Sequence, residues 1–259
     1  MKLHFHKYQG TGNDFIIIDN RDLFFTKSDS ALINKLCDRR FGIGADGLIL
    51  LEPSENQDFK MVYFNANGFE GSMCGNGGRC IVAYAYRLGI IKNETMFDAI
   101  DGQHYAIIND EMVSLKMIDV TEIDVAHTHT FLNTGSPHHV NFCDNISNID
   151  IKKLGSKIRY GAPYFEEGTN VNFVEQLSEN TFKIRTYERG VENETLGCGT
   201  GVTAVAIAAN KINKTTAEII KIEAIGGELE VSFQHDGDSY TNIFLKGPAQ
   251  FIFKGNIII

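Results

Sequence analysis

Tyr63-Phe-Asn-Ala-Asn-Gly-Phe-Glu-Gly-Ser-Met-Cys-Gly-Asn-Gly-Gly-Arg-Cys80 decides the fold. A strand-like run, Phe59 to Phe64, ends in an Asn/Gly turn. Cys74 then stands between a polar loop and an Ala/Val-rich run, Ile81 to Leu88, that reads as a helix with Cys74 to Gly78 as its first turn. The first N–H groups of a helix lack internal partners, and the helix dipole favours negative charge there. A cysteine at that point has its thiolate stabilised, and the glycines let another molecule approach bare backbone. The stretch therefore reads as a reactive thiol beside a carboxylate-sized anion site.

The pattern recurs. Tyr187-Glu-Arg-Gly-Val-Glu-Asn-Glu-Thr-Leu-Gly-Cys-Gly-Thr-Gly-Val-Thr-Ala204 again runs from a strand (Thr181 to Tyr187) through a polar loop into Cys-Gly-x-Gly and an Ala/Val helix, Val202 to Asn210. The two cysteines lie about half the chain length apart, far beyond a solenoid period. Two copies of one α/β unit, each presenting a cysteine at a helix start, account for this. If a pseudo-two-fold axis relates them, both thiols can address opposite faces of one substrate carbon.

Working outward, Leu3 to Tyr8 and Phe15 to Asp19 read as strands joined by the turn Gln9-Gly-Thr-Gly-Asn-Asp14, with Asn13 and Asp14 as turn residues on local grounds. Ser28 or Asp29 caps a helix through Ala31 to Leu36 that ends near Arg39-Arg40. Leu48 to Leu51 is a buried strand, and two or three strands lie between Thr95 and Met117. The second half repeats the order: Thr128 to Asn133, His139 to Phe142, a short helix at Ile151 to Ile158, Asn170 to Glu175, Phe182 to Tyr187, then Glu218 to Ile225, Glu228 to Phe233 and Tyr240 to Lys246. The expected fold is mixed α/β (α+β), with two pseudo-symmetric units, each a curved, mostly antiparallel sheet around a central helix. Residues 1–119, with a C-terminal strand at about 249–259, form the Cys74 unit. Residues 120–248 form the Cys198 unit, and the reacting site is expected in the cleft between them.

Composition narrows the function. With 259 residues, 43% hydrophobic and 22% charged, the chain is an ordinary globular protein. A net charge of −9 without a Lys/Arg cluster argues against nucleic acid as a partner. No apolar run approaches membrane-spanning length. Five cysteines without framework spacing fit a reducing cytoplasm. Cys37, Cys80 and Cys143 read as structural. No metal is expected: Cys-x-x-Cys and His-x-x-x-His are missing, His138-His139 would point to opposite faces of a strand, and His127 and His129 would share one exposed face. Gly42-x-Gly44 lacks the lysine of a phosphate loop, and the Gly-x-Ser-x-Gly elbow of a serine hydrolase is missing. A cysteine-protease pairing of His138 leaves the second Cys-Gly-x-Gly unexplained.

The sequence resembles the diaminopimelate epimerase family of cofactor-independent amino-acid epimerases along essentially its whole length. The resemblance is carried by Gly12-Asn-Asp-Phe15, Phe41-Gly-Ile-Gly-Ala-Asp46, Phe64-Asn-Ala-Asn-Gly68, Cys74-Gly-Asn-Gly-Gly-Arg-Cys80, Gly135-Ser-Pro-His138, Asn170-Val-Asn172, Tyr187-Glu-Arg-Gly190 and Gly197-Cys-Gly-Thr-Gly201. It implies that Cys74 and Cys198 are the catalytic bases and that His138 and Glu188 tune them. It further implies that Asn13, Asn65, Asn170, Glu188 and Arg189 bind substrate together with the backbone amides of Gly75, Asn76, Gly199 and Thr200. Gly47 and Ser136 stand where some relatives carry Gln and Asn.

The implied reaction converts LL-2,6-diaminoheptanedioate to its meso form without a cofactor, supplying lysine and peptidoglycan precursors. The implied protein is cytoplasmic, compatible with a homodimer, and has a small molecule as its partner. Three alternatives remain open at this point: a related racemase or isomerase of the same fold, a dithiol redox protein using Cys74 and Cys198, and a non-catalytic binding module.

Overall fold

The computed structural model describes residues 2–259, which divide into two compact units: residues up to 115 with 247–259, and residues 116–246. In the first unit, strand β1 (Lys2–Gly10) turns at Thr11-Gly12 into β2 (Asn13–Asp19). Asn13 and Asp14 thus belong to a strand: the tight turn takes only the two residues before them, with positive φ at both. Helix α1 (Ser30–Cys37) follows, capped by the Asp29 carboxylate, which accepts from the Leu32 N–H at 2.9 Å. It stops two residues short of Arg39. Then come β3 (Gly47–Glu52), β4 (Phe59–Asn65), helix α2 (Gly75–Arg87), β5 (Glu94–Ala99), β6 (Gly102–Asn109) and β7 (Met112–Lys116).

The second unit opens with β8 (Ile123–Val125), β9 (Thr130–Asn133) and β10 (Pro137–Phe142), followed by α3 (Ile151–Arg159), β11 (Asn170–Gln176), β12 (Thr181–Glu188) and β13 (Asn193–Thr195). Helix α4 (Gly199–Lys211), β14 (Ile219–Ala224), β15 (Gly227–Asp236) and β16 (Ser239–Pro248) complete it. The last strand, β17 (Gln250–Ile258), pairs antiparallel with β1 in the first unit. The short β8 and β13 are too brief to show a period in sequence. His127 and His129 do not share a strand face. They lie in the turn between β8 and β9, and the His129 ring stacks on His139 at 4.1 Å.

Apart from the short β8 and β13, each unit runs strand, strand, helix, strand, strand, helix, three strands, and the pairing matches step for step. In the first, β1–β2, β3–β4, β5–β6 and β6–β7 are antiparallel while β2–β3 and β4–β5 are parallel. In the second, β9–β10, β11–β12, β14–β15 and β15–β16 are antiparallel while β10–β11 and β12–β14 are parallel. Each unit is a mostly antiparallel sheet with one nearly wholly buried helix, α2 or α4.

Strands covered on both faces become continuous apolar runs. Along β2, Ile16 and Ile18 join the core shared with Ile33 and Leu36 of α1. Phe15 points the other way and lies near Gly77 of α2 together with Ile49 and Met61. In the second unit, Val171, Phe173 and Tyr187 pack with Ile151 of α3. Asn172, between Val171 and Phe173, turns toward α4.

Candidate active site

Both cysteines are N-caps. Cys74 is extended (φ −95°, ψ 126°) immediately before α2, and Cys198 is extended (φ −111°, ψ 112°) immediately before α4. The helices therefore begin at Gly75 and Gly199, earlier than the Ala/Val runs alone indicate. The first internal bonds are Gly78 N to the Cys74 carbonyl at 2.7 Å and Val202 N to the Cys198 carbonyl at 2.9 Å. The N–H groups of Gly75, Asn76, Gly199 and Thr200 precede those bonds, so they have no acceptor within their helix, and the helix dipole favours negative charge beside them.

Around Cys74, Asn13 Oδ1 lies 3.6 Å from the sulfur and accepts from Asn76 Nδ2 at 3.5 Å. Asn13 Nδ2 donates to Asp46 Oδ2. Asp46 is held by Arg39 Nη2 at 2.7 Å, and Arg39 also grips both oxygens of Asp14. Lys7 Nζ meets Asp14 at 2.7 Å. Bonds from Arg39 and Lys7 outweigh the burial that would raise Asp14, and hold its carboxyl well below the usual range. Asn76 is buried, and its Oδ1 accepts from Arg79 Nη2 at 3.0 Å. Asn65 lies at the end of β4, exposed, where its Oδ1 accepts from the Tyr63 hydroxyl at 3.1 Å. Gly47 has no room for a larger residue: a Cβ there would lie 2.5 Å from the Tyr63 ring and 2.6 Å from the Phe64 carbonyl. Tyr63 thus fills the space into which a glutamine would project.

Around Cys198, the Thr200 hydroxyl lies 3.3 Å from the sulfur and 2.9 Å from His138 Nε2. His138 is fully buried, and burial pushes its pKa down to about 3, with the Arg189 charge adding to the effect. Its Nδ1 faces Asn172 Nδ2 at 3.1 Å. Asn170 is also buried. Its Nδ2 donates to Ser136 Oγ at 2.7 Å and to the Pro137 carbonyl at 3.0 Å, and its Oδ1 accepts from the Arg189 N–H at 2.9 Å. It ties the Arg189 loop to the Ser136 loop. Arg189 itself is exposed, with Nη1 donating to the Glu167 carbonyl at 2.9 Å. Burial raises the Glu188 carboxyl. The Thr195 hydroxyl opposes that rise from nearby without reaching hydrogen-bond geometry.

The sequence-predicted residues divide between the units, Asn13, Asn65, Gly75 and Asn76 in the first and His138, Asn170, Glu188, Arg189, Gly199 and Thr200 in the second, and hydrogen bonds link Asn13 and Asn76 to Cys74 and Thr200 and His138 to Cys198. Sequence reasoning missed Asp46, Arg39, Asp14 and Lys7 behind Asn13, Tyr63 beside Asn65, and Asn172 behind His138. It valued Thr200 only for its backbone amide. The spacing of Asn170 and Asn172 is the signal that was available, since residues two apart on a strand share a face. Cys80, Cys37 and Cys143 behave as structural thiols: burial pushes Cys80 up to about 12 and Cys37 up to about 11, and raises Cys143. Among the described residues no group of three His, Cys, Asp or Glu converges as a metal site.

His138 gives a pH prediction. Its unfolded-state value is near 6.5 and its folded value about 3, so between these the unfolded chain binds more protons. Stability is full above pH 6.5 and is lost as pH falls toward 3, by at most about 1.4 kcal/mol per pH unit. Urea unfolding at a series of pH values should show this slope, and His138→Gln should flatten it. An unchanged slope in the variant would mean that other groups carry the acid sensitivity.

The architecture defines a class, a fold shared with solved racemases, epimerases and phenazine-biosynthesis proteins. A Bacillus anthracis phenazine biosynthesis protein of the PhzF family superposes with a TM-score of 0.77 at 14% identity, covering 100% of both chains. A hydroxyproline epimerase from Agrobacterium vitis superposes with a TM-score of 0.68 at 13% identity, covering 99% of this chain and 92% of the other. Sequence narrows the class. The diaminopimelate epimerase family model matches residues 5–118 and 130–252. A diaminopimelate epimerase of Flavobacterium psychrophilum is 60% identical over 99% of this chain and 100% of its own, and one of Chlorobaculum tepidum is 42% identical over 96% and 99%. The chain belongs to the diaminopimelate epimerase family.

Proposed function

We propose that this chain is an isomerase that interconverts LL- and meso-2,6-diaminoheptanedioate, using Cys74 and Cys198 as a thiolate–thiol pair of bases. It would act in the cytoplasm, on the route to lysine and peptidoglycan precursors, free or as a homodimer, with the small diamino diacid rather than nucleic acid or membrane as its partner. The observation that supports this best is the duplicated cysteine at the head of a buried helix, set in a family named for that reaction.

The α-hydrogen of an amino acid is weakly acidic, so charge developing on the carbon and carboxylate must be met by fixed dipoles. The N–H groups of Gly75-Asn76 and Gly199-Thr200 are such dipoles, held by the fold before the reaction begins. One sulfur removes the α-proton from one face while the other delivers a proton to the opposite face, and the reverse reaction exchanges the roles. The reaction therefore requires both sulfurs on one carbon. No external proton donor is consumed, because the proton gained by one sulfur balances the proton lost by the other. Epimerisation in deuterated water should place deuterium at the α-carbon of the product. Inversion without solvent label would exclude a pair of exchangeable bases.

The far end of the substrate carries a second amino-carboxylate. Arg189, with Nη1 anchored on Glu167, can offer its remaining donors to that carboxylate. Lysine keeps the charge but loses the planar fork. Arg189→Lys is accordingly expected to raise KM at least about tenfold with a smaller change in kcat, the signature of lost binding common to ground and transition states. Unchanged kinetics would place Arg189 outside the site.

A further inference from the structure

A hydroxyl lies beside the sulfur of Cys198 and an amide oxygen beside that of Cys74. We infer that the resting enzyme carries its negative charge on Cys198 and its proton on Cys74, with Asn172 and Asp46 as the positioning residues that impose this asymmetry. The assignment rests on the two-base reaction above.

The direction can be traced atom by atom from groups whose role is fixed. At Cys198 the starting point is the backbone carbonyl of His139, which can only accept. It lies 3.3 Å from Asn172 Nδ2, so that atom is the amide nitrogen, and Asn172 Oδ1 accepts from the Thr186 hydroxyl at 3.0 Å. The same Nδ2 faces His138 Nδ1, which must then be the bare, accepting nitrogen. A fully buried imidazole stays neutral, so its one hydrogen is on Nε2 and is donated to Thr200 Oγ1. With its oxygen accepting from His138, the Thr200 hydroxyl has its own hydrogen left for the sulfur of Cys198. A donor aimed at sulfur favours the thiolate.

At Cys74 the starting point is the Asp46 carboxylate, paired with Arg39 and likewise only an acceptor. It takes Asn13 Nδ2, which turns Asn13 Oδ1 toward Cys74. Asn76 Nδ2, oriented by the Arg79 bond to its Oδ1, donates to the same oxygen. A carbonyl oxygen beside sulfur rewards an S–H and repels a thiolate.

Other charged and titratable groups frame the pair. Near Cys74 these are Lys7, Asp14, Arg39 and Asp46 from the neighbouring strands and loop, and Arg79 and Cys80 on α2. Near Cys198 they are His138, His139, Glu188 and Arg189. Arg79 works against the assignment, since a buried cation favours a thiolate nearby. Its Nη2 donates to Thr11 and Asn76 and its Nε to the Pro248 carbonyl, while Nη1 has no hydrogen-bond partner. A hydrogen bond made at the sulfur itself outweighs a cation whose donors point elsewhere.

The test is the pH dependence of iodoacetamide labelling of the substrate-free full-length enzyme, with each cysteine quantified by peptide mapping. Normalising each rate to its own high-pH plateau removes the effect of accessibility. Cys198 is expected to reach half its plateau at least one pH unit below Cys74, which makes it about tenfold more reactive at neutral pH after normalisation. Thr200→Val, which removes only the hydroxyl, should move the Cys198 midpoint up by about one unit. Thr200→Ser should restore it, a pattern that lost packing alone would not give. Asp46→Asn should lower the Cys74 midpoint, because Asn13 is then free to turn its amide hydrogens toward the sulfur. The wild-type midpoints need no variant: equal values, or Cys74 below Cys198, overturn the assignment. A Thr200→Val midpoint equal to wild type overturns the route through Thr200. If the midpoints are as expected but an enzyme lacking either cysteine still epimerises, the two-base reaction fails and the charge assignment stands.

Discussion

Replacing Cys74 or Cys198 with alanine is expected to lower epimerisation by about three orders of magnitude or more, the scale on which a positioned proton-transfer group contributes. Folding should be little affected. Both cysteines are only partly buried, and neither uses its side chain to cap its helix. The loss should be asymmetric in an informative way. An enzyme with one sulfur can still remove a proton from the face it addresses and return one to the same face. Each variant should therefore exchange the α-hydrogen of one stereoisomer with solvent while inverting neither, and the two variants should prefer opposite isomers. Proton NMR in deuterated water follows exchange and inversion together. Full epimerisation by either variant would end the two-base mechanism, as would exchange of the same isomer by both.

The architecture was legible because the chain says it twice. The recurrence of Cys-Gly-x-Gly after a strand and before an Ala/Val helix located α2 and α4, and the flanking apolar runs located most strands. The start of α2 was legible, with Cys74 to Gly78 as its first turn, whereas the Ala/Val run of the second helix begins at Val202, three residues past the observed start at Gly199, because Gly199 and Gly201 add no side-chain periodicity. Asn13 and Asp14 read as turn residues, yet they pair in β2, since the turn needs only Thr11 and Gly12. The site was legible as far as residues that resemble family motifs. Its supporting layer was not. Asp46 sits 33 residues from Asn13, and Asn172 sits 34 from His138, contacts made by strand register rather than local sequence. That position 47 has no room for a side chain is likewise intelligible only in three dimensions, where the Tyr63 ring occupies the space.

Gly201→Ala is expected to be far more damaging than Gly77→Ala, although the two glycines hold equivalent places, three residues after each cysteine. A Cβ on Gly77 would lie 3.2 Å from Ile49 Cδ1 and from Met61 Cε, both ends of flexible side chains. A small rotation of either relieves the contact, and alanine suits a helix better than glycine by about 1 kcal/mol, so the variant should stay near wild type. A Cβ on Gly201 would lie 2.7 Å from Asn172 Oδ1 and 3.3 Å from His138 Cε1. Neither can step aside: Asn172 is fixed by Thr186, His138 and the His139 carbonyl, and His138 by Asn172 and Thr200. The helix start cannot easily retreat, because Thr134 Oγ1 donates to the Thr200 carbonyl at 2.8 Å and α4 is buried along its length. Overpacking of this kind costs about 1–3 kcal/mol. Moving Cys198, Thr200 and the helix N–H groups by a fraction of an ångström should lower kcat by about a hundredfold. Thermal melts and steady-state kinetics on the two variants side by side decide the matter. Equal losses would mean that the His138–Asn172 pair yields as readily as a methyl group, and that the second cysteine is not held in a rigid frame.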